Sequence, residues 1–409
     1  MSLSQTPSGE RIHIGFFGVR NAGKSSLVNA VTQQTLSVVS EVKGTTTDPV
    51  KKAMELLPLG PVLILDTPGL DDEGALGALR VEKTYEALRK TDLAVFVTEA
   101  GRALLPVEKA FLEELTKRGT PYVTVFHKAD LCLDRSEKEG LYVSAKTGEG
   151  VEELKKRLAE LGMTAQQKRP LVEDLIDPGQ TAVLVVPIDK AAPKGRLILP
   201  QQQTIRALLD HGAMALISRD VELPTALASL SKAPRLVITD SQAFSQVSQL
   251  VPPEVPLTSF SILFARYKGD LAETVRGAAA LRQIDDDDTI LIAEGCTHHR
   301  QCDDIGTVKI PNLVRRFTGR NPKFVFTSGG EFPQDLTPFS LIIHCGGCML
   351  NEKEVKYRFR CAKEQGVAIT NYGIAIAFMH GILDRSLEPF GGLGAFLEGD
   401  SNEEETPLL

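Results

Sequence analysis

The chain has 409 residues, 42% of them hydrophobic and 24% charged, with a formal net charge of −7. That length exceeds one ordinary core and suggests about three domains, and the charge content is that of a soluble globular protein. No run approaches the roughly 20 apolar residues needed to span a bilayer, no apolar run follows a basic start, and the acidic balance disfavours a nucleic-acid-binding face. A cytoplasmic protein with neither membrane nor nucleic-acid attachment is therefore expected. In that compartment the six cysteines read as thiols or metal ligands rather than disulfides.

The first segment alternates strands and helices. Residues 12–17, 62–65, 93–97 and 122–126 are short apolar strands. A helix is expected over 25–32, and another where Val151, Leu154, Leu158 and Leu161 recur at helical spacing, with Gly162 as its stop. Such alternation implies a mostly parallel sheet covered on both faces. Residues 166–170 form a polar, basic linker, and the pattern restarts after the turn signal Asp177-Pro178-Gly179. Strands are then expected over 183–186, 213–217, 236–238 and 257–264, in a stretch without ligand-type clusters. A third set covers 289–293, 323–326, 340–343 and 368–370. The fold class is α/β, with a P-loop domain over 1–165 followed by two further mostly parallel units over 171–267 and 268–409.

Gly18-Val19-Arg20-Asn21-Ala22-Gly23-Lys24-Ser25 follows the first strand and opens a helix, as a phosphate loop requires. Its glycines let the backbone close around an anion, and Ala22, Gly23 and the helix-start residues through Ser26 turn N–H groups into it. Lys24 should reach the β- and γ-phosphates, and Ser25 should offer its hydroxyl to Mg2+. Asp66-Thr67-Pro68-Gly69 fits DxxG: Asp66 would hold Mg2+ through water and the Gly69 N–H would meet the γ-phosphate. Thr45-Thr46-Thr47 after Gly44 fits a switch threonine, with Thr46 the preferred Mg2+ ligand. His127-Lys128-Ala129-Asp130 stands where NKxD belongs, and Ser144-Ala145-Lys146 matches SAK. Asp130 is the base reader, because a carboxylate accepts from both N1–H and N2–H2 of guanine and finds no such pair on adenine.

Over residues 10–162 these elements resemble a small GTPase domain of the TrmE/Era branch. Two departures stand out. His127 replaces the usual Asn, removing an amide that contacts the base and braces the phosphate loop, so weaker guanine affinity is expected. Leu70 follows DxxG where Ras-like proteins carry the water-orienting Gln, so slow hydrolysis is expected unless aided. The resemblance implies that aid: with Asn21 and a GTT-type switch, K+ would act in the place of an arginine finger.

At the other end, Cys296-Thr297-His298 and His344-Cys345-Gly346-Gly347-Cys348 each follow a strand. Thiolates and imidazoles suit zinc or iron–sulfur clusters. Cys345-x-x-Cys348 can grip one centre from one loop, with Cys296 as third thiolate and His298 or His344 as fourth ligand or close neighbour. A 4Fe–4S cluster with one exchangeable iron and a structural zinc both fit the ligand types. Cys132, Cys302 and Cys361 lack partners at ligand spacing, although Cys302 is close to Cys296.

The combination of GTPase motifs, a plain middle module and C-x-H…H-C-x-x-C resembles the FeFe-hydrogenase maturation GTPases, the HydF family, over essentially the whole chain. The resemblance implies a GTPase domain, a dimerisation domain and a 4Fe–4S domain with Cys296, Cys345 and Cys348 as ligands. It further implies a homodimer that receives a di-iron precursor from two radical SAM maturases and delivers it to apo FeFe-hydrogenase. Two other classes compete: an RNA-associated TrmE/Era-like GTPase with a C-terminal zinc, and a redox-sensing iron–sulfur GTPase switch. Metal analysis separates the first, and a hydrolysis rate that tracks cluster oxidation marks the second.

Overall fold

The computed structural model describes residues 8–32, 50–71, 75–132, 135, 140–165, 169–188, 197–295 and 304–392. The chain divides into two compact units, 1–167 and 168–409.

In the first unit, β1 (Ile12–Phe17) is buried at every position and lies at the centre of a six-stranded sheet. Its neighbours are β3 (Gly60–Asp66) and β4 (Leu93–Glu99), followed outward by β5 (Tyr122–His127) and β6 (Leu141–Val143), all parallel. On the far side, β2 (Val50–Leu56) runs antiparallel to β3. The helices are α1 (Lys24–Thr32), α2 (Ala75–Arg89), α3 (Pro106–Lys117) and α4 (Val151–Ala165). Apolar runs bury β1 and β4 on both faces, the pattern of parallel strands sandwiched by helices. Phe17, Phe96 and Phe111 form the middle of that core.

Register decides where the motifs emerge. Phe16 lies opposite Asp66 and Phe17 opposite Phe96, while His127 pairs with both Glu99 and Val143. The C-terminal ends of β1, β3, β4, β5 and β6 are therefore level, and the loops after them open on one edge of the sheet. Helix α4 runs through Gly162 to Ala165. That glycine is needed for packing, since a Cβ there would lie 2.6 Å from Leu59 Cδ2.

The second unit holds two parallel four-stranded sheets. The first contains β7 (Thr181–Val185), β8 (Met214–Ser218), β9 (Leu236–Thr239) and β10 (Leu257–Ser259), in the order β10-β9-β7-β8, with helices α5 (Leu199–Asp210), α6 (Leu223–Ala228), α7 (Phe244–Leu250) and α8 (Phe260–Lys268). The long strand expected over 257–264 is thus a three-residue strand running into a helix. Ser259 makes the switch by accepting from the Ile262 N–H as an N-cap.

After α9 (Leu271–Ala279), the second sheet contains β11 (Thr289–Ala293), β12 (Lys323–Thr327), β13 (Leu341–His344) and β14 (Ala368–Asn371), in the order β12-β11-β13-β14. Its helices are α10 (Ile310–Thr318), α11 (Glu352–Glu364), α12 (Tyr372–Met379) and α13 (Leu383–Leu387). Each sheet has clusters of its own, and one further cluster is shared between them. Ile374, Ala377, Leu383 and Leu387 of α12 and α13 are buried in one cluster with Val183, Val237 and Leu257 of the first sheet. That shared burial joins the two sheets within the compact unit 168–409. No helix among the described residues is long and apolar enough to cross a membrane.

Candidate functional site: a guanine-nucleotide cleft and a thiol loop

The loop after β1 has a backbone that its residue types dictate. Gly18 has φ 155°, and a Cβ there would fall 2.1 Å from the Val97 carbonyl oxygen. Asn21 occupies the left-handed region at φ 62°, which Asn tolerates better than most side chains. Lys24 is buried and folds back over its own loop, Nζ donating to the carbonyls of Gly18 and Val19 at 2.9 Å each. Beside it, burial raises the Asp66 carboxyl above the usual carboxylate range, against the opposing pull of the Ser25 hydrogen bond and the Lys24 charge. Asp66 Oδ1 is buried and makes no hydrogen bond. An orphaned carboxylate oxygen beside a serine hydroxyl is the donor set that suits Mg2+, so these residues fit the ion that a nucleoside triphosphate brings. Leu70 turns into the core at 4% exposure, while its N–H donates to the Gly18 carbonyl.

The end of the cleft that holds Asp130 is assembled by β5 and the loop after β6. Ser144 Oγ donates to Asp130 Oδ1 at 2.7 Å, and that bond holds the exposed Asp130 carboxyl below its ordinary range. Lys128 has φ 61° and pairs with Glu99 at 2.9 Å. His127 is buried, with Nδ1 3.0 Å from the Ala22 carbonyl and Nε2 3.4 Å from the Ala145 N–H. A carbonyl demands a donor and an N–H demands an acceptor, so the ring is the neutral Nδ1–H tautomer. Burial lowers its pKa in the same sense.

The expectation that replacing Asn by His removes the brace on the phosphate loop is therefore overturned. The imidazole spans from Ala22 to Ala145, and Gly23 closes against it so tightly that a Cβ would meet Nδ1 at 2.2 Å. A cleft of about 840 Å³ is lined by Asn21, Gly23, Lys24, Ser25, Ser26, Gly69, His127, Lys128, Asp130, Ser144, Ala145 and Lys146, all named from sequence. Arg20, Asn29, Thr67 and Leu131 also line it. Arg20 and Thr67 occupy positions inside the phosphate loop and DxxG to which sequence assigned no role, while Asn29 and Leu131 lie outside every motif. Thr45 and Thr46 lie outside the described residues.

In the second unit, Cys345 directly follows β13, and its N–H extends the ladder to the Ala293 carbonyl at 2.9 Å. The N–H groups of Gly295 and Gly347 point at Cys345 Sγ, at 3.0 and 3.4 Å. Gly347 has φ 62°, and this left-handed step turns its N–H toward the sulfur. Burial pushes both thiols up, Cys348 to about 11, while the two N–H groups and Arg358 act the other way on Cys345. Without a metal both thiols hold their protons, and a thiophilic centre would displace them. Two thiols on a glycine loop with N–H donors aimed at sulfur fit a sulfide-bearing cluster or a zinc ion. Cys296 and His298 lie outside the described residues, and among those described no three His, Cys, Asp or Glu side chains converge as a metal group.

His344 had two possible roles, ligand or neighbour. It is 1% exposed and both of its ring nitrogens are engaged. Nε2 accepts from Arg358 Nη1 at 3.1 Å, and Nδ1–H donates to the Cys345 carbonyl at 2.5 Å. Burial and the Arg358 charge lower its pKa to about 3, so the ring is neutral. Arg358, fully buried on α11, also pairs with Glu354 at 3.1 Å and donates to the Gly329 carbonyl at 2.8 Å. From α8, buried Lys268 donates to the carbonyls of Cys348 and Leu350 at 3.1 and 2.9 Å. Lys268 thus holds the thiol loop by its carbonyls, while Arg358 holds His344 at the end of β13 beside it.

Residues 13–128 match a family model described as a 50S ribosome-binding GTPase. Residues 171–269 match the hydrogen maturase F dimerization domain, and 272–389 the hydrogen maturase F tetramerization domain. Among curated relatives, the tRNA modification GTPase MnmE of Chromobacterium violaceum is 33% identical over 159 residues, 37% of this chain and 35% of that protein. GTPase Der of Kosmotoga olearia is 31% identical over 140 residues, 33% of this chain and 31% of that protein. The match thus takes in only about a third of either relative. Among solved structures, Aquifex aeolicus Era bound to GDP·AlF4− is 17% identical, covering 54% of this chain and 98% of that one at a TM-score of 0.34. The G domain of the T. maritima FeoB iron transporter is 23% identical, covering 37% and 99% at a TM-score of 0.30.

Proposed function

Because the chain belongs to the hydrogen maturase F family, we propose that it is a GTP-hydrolysing scaffold and carrier that holds a 4Fe–4S cluster and delivers the di-iron precursor to apo FeFe-hydrogenase. In the first unit Lys24 and the loop N–H groups would bind the phosphates and Asp130 the base, while Ser25, Asp66 and Thr46 would hold Mg2+. Asn21 would take K+. In the second unit Cys296, Cys345 and Cys348 would hold the cluster, which when bound supplies one exchangeable iron.

His344 belongs behind the loop in this reading: its ring nitrogens fix the Cys345 carbonyl and Arg358, which supports a positioning role rather than ligation. His298 remains the histidine proposed for the open iron. Nucleotide state would order or release the segments around Thr46 and Gly69 and so choose between two radical SAM maturases and the hydrogenase as partner. A homodimer is supported by the dimerization-domain match and by β8, an outer strand that exposes Met214 and Ile217.

The observation that carries the reading is the Gly295 and Gly347 N–H pair aimed at Cys345 in a chain that also holds a guanine cleft. The test is anaerobic reconstitution, with iron, sulfide and zinc analysis and EPR of the reduced protein. About four irons per chain, lost in Cys345→Ala and Cys348→Ala, is the expected result. Stoichiometric zinc without iron uptake would overturn it in favour of a zinc-bearing GTPase. Equal hydrolysis in Na+ and K+ would remove Asn21 from its role.

A further inference from the structure

We propose that Arg20 is a catalytic residue of GTP hydrolysis, an arginine supplied by the phosphate loop itself to the γ-phosphate. The inference rests on the guanine-nucleotide reading of the cleft and on four observations around one residue.

Arg20 lines the cleft at the end where Gly69 closes it. The two backbones touch there: a Cβ on Gly69 would lie 3.0 Å from Arg20 N and 3.2 Å from Arg20 Cα. Gly69 is the DxxG glycine whose N–H meets a γ-phosphate, so the Arg20 side chain starts beside that group. Its backbone is held firmly. The Arg20 N–H donates to Asp71 Oδ1 at 2.6 Å, and Asn21 beyond it sits in the left-handed region.

The Arg20 guanidinium is exposed and makes no hydrogen bond or ion pair among the described residues. Of the lysines lining the cleft, Lys24 folds onto the Gly18 and Val19 carbonyls, and Lys146 stands at the Asp130 end. Arg102 forms a two-pronged pair with Glu108, and Lys128 is bound to Glu99. Finally, Leu70, at the position where a glutamine could orient water, is buried in the core. Beside Lys24 and the K+ proposed at Asn21, the wall near the γ-phosphate thus offers a guanidinium with no protein partner among the described residues.

The chemistry needs such a donor. Water oxygen attacks the γ-phosphorus, and the bond from that phosphorus to the β–γ bridging oxygen breaks. GDP leaves with the electron pair, and the water protons pass to phosphate and solvent. Negative charge grows on the bridging oxygen and redistributes over the γ-oxygens. A guanidinium placed there stabilises that charge, an effect of about 10³–10⁵ in rate where an arginine is optimally docked. A flexible, solvent-exposed arginine falls below that range, and about 10²-fold is expected.

The test uses the full-length protein, Arg20→Ala and Arg20→Lys, in saturating Mg2+ with K+ and, separately, with Na+. Single-turnover hydrolysis of GTP is measured beside affinities for fluorescent GDP and a non-hydrolysable GTP analogue. Arg20→Ala should lose about 10²-fold in rate while GDP affinity stays within about twofold, which also shows that the cleft is folded. Arg20→Lys should recover part of the rate. Asp71→Ala, which frees the Arg20 N–H, should lose less than Arg20→Ala. An unchanged or faster rate in Arg20→Ala overturns the proposal, as does an equal loss of GDP and analogue affinity with no loss of rate. Failure of the unaltered protein to hydrolyse GTP would instead overturn the reading of the cleft itself.

Discussion

The imidazole of His127 makes the sharpest quantitative prediction. His127→Ala removes the donor to the Ala22 carbonyl and the acceptor of the Ala145 N–H. The 3.0 Å bond is the stronger of the two, and leaving a buried carbonyl without a partner costs about 1–3 kcal/mol. The longer contact adds less. Loss of the ring that Gly23 packs against adds a cavity, so about 2–4 kcal/mol of first-unit stability should go. Part of that is returned when nucleotide re-orders the loop, which weakens GDP binding by about 10- to 100-fold, since 1.4 kcal/mol is tenfold.

His127→Asn can keep one of the two bonds and should fall between. There is also a pH signature. Burial lowers the His127 pKa, so in the unfolded chain the ring gains its proton near the ordinary value of about 6.5 while the folded ring stays neutral. The unfolded state then binds more protons, and the contribution of His127 is fully present above about pH 6.5 and declines as pH falls. Fluorescent GDP titration and thermal unfolding across pH, on both variants, give the readout. Wild-type GDP affinity and wild-type melting in His127→Ala would refute the bracing role.

Three further outcomes follow from the geometry. Asp130→Asn exchanges an acceptor for a donor, so GDP affinity should fall about 100-fold or more, while xanthosine diphosphate, with a carbonyl in place of the guanine amine, should gain; competition binding measures both. Arg358→Met leaves Glu354 buried, with one oxygen already lacking a partner, and the His344 acceptor unpaired, so calorimetry should show the second unit losing about 3–5 kcal/mol with GDP binding unchanged. Replacing Glu354 by Leu in the same chain should restore much of it. Gly277→Ala places a Cβ 1.9 Å from the Ile369 carbonyl oxygen, which must push α9 off β14; a loss of about 1–3 kcal/mol is expected by denaturant unfolding, where an unchanged midpoint would contradict that packing.

What could be read beforehand follows a physical divide. The cleft was legible because the phosphate loop, DxxG, NKxD-like and SAK elements are local runs, and parallel register then carries them to one edge. Cys345 and the glycines beside it were legible for the same reason. Contacts made across long separations were not. Arg358 is fourteen residues beyond His344 and Lys268 eighty before Cys348, and no periodicity announces either partner. β2 escaped because its outer position leaves most of Val50–Leu56 partly or fully exposed, so its lysines never read as a buried strand. The run after Leu257 misled because a short apolar stretch suits a buried strand or a buried helix equally, and only the Ser259 cap decides.

The shared core of the second unit also sets an order of events during synthesis. The first sheet of that unit cannot close its apolar face until Ile374, Ala377, Leu383 and Leu387 have been translated, because they complete the same cluster. A chain stalled after β10 would hold the outer strand β8 but not a finished protomer. If β8 pairs with a second copy as proposed, the face of its sheet closed by α12 and α13 is completed only after Cys345 and Cys348 are already in place. Chains that pair through a fully packed first sheet would then already carry the thiol loop, with no separate checking device.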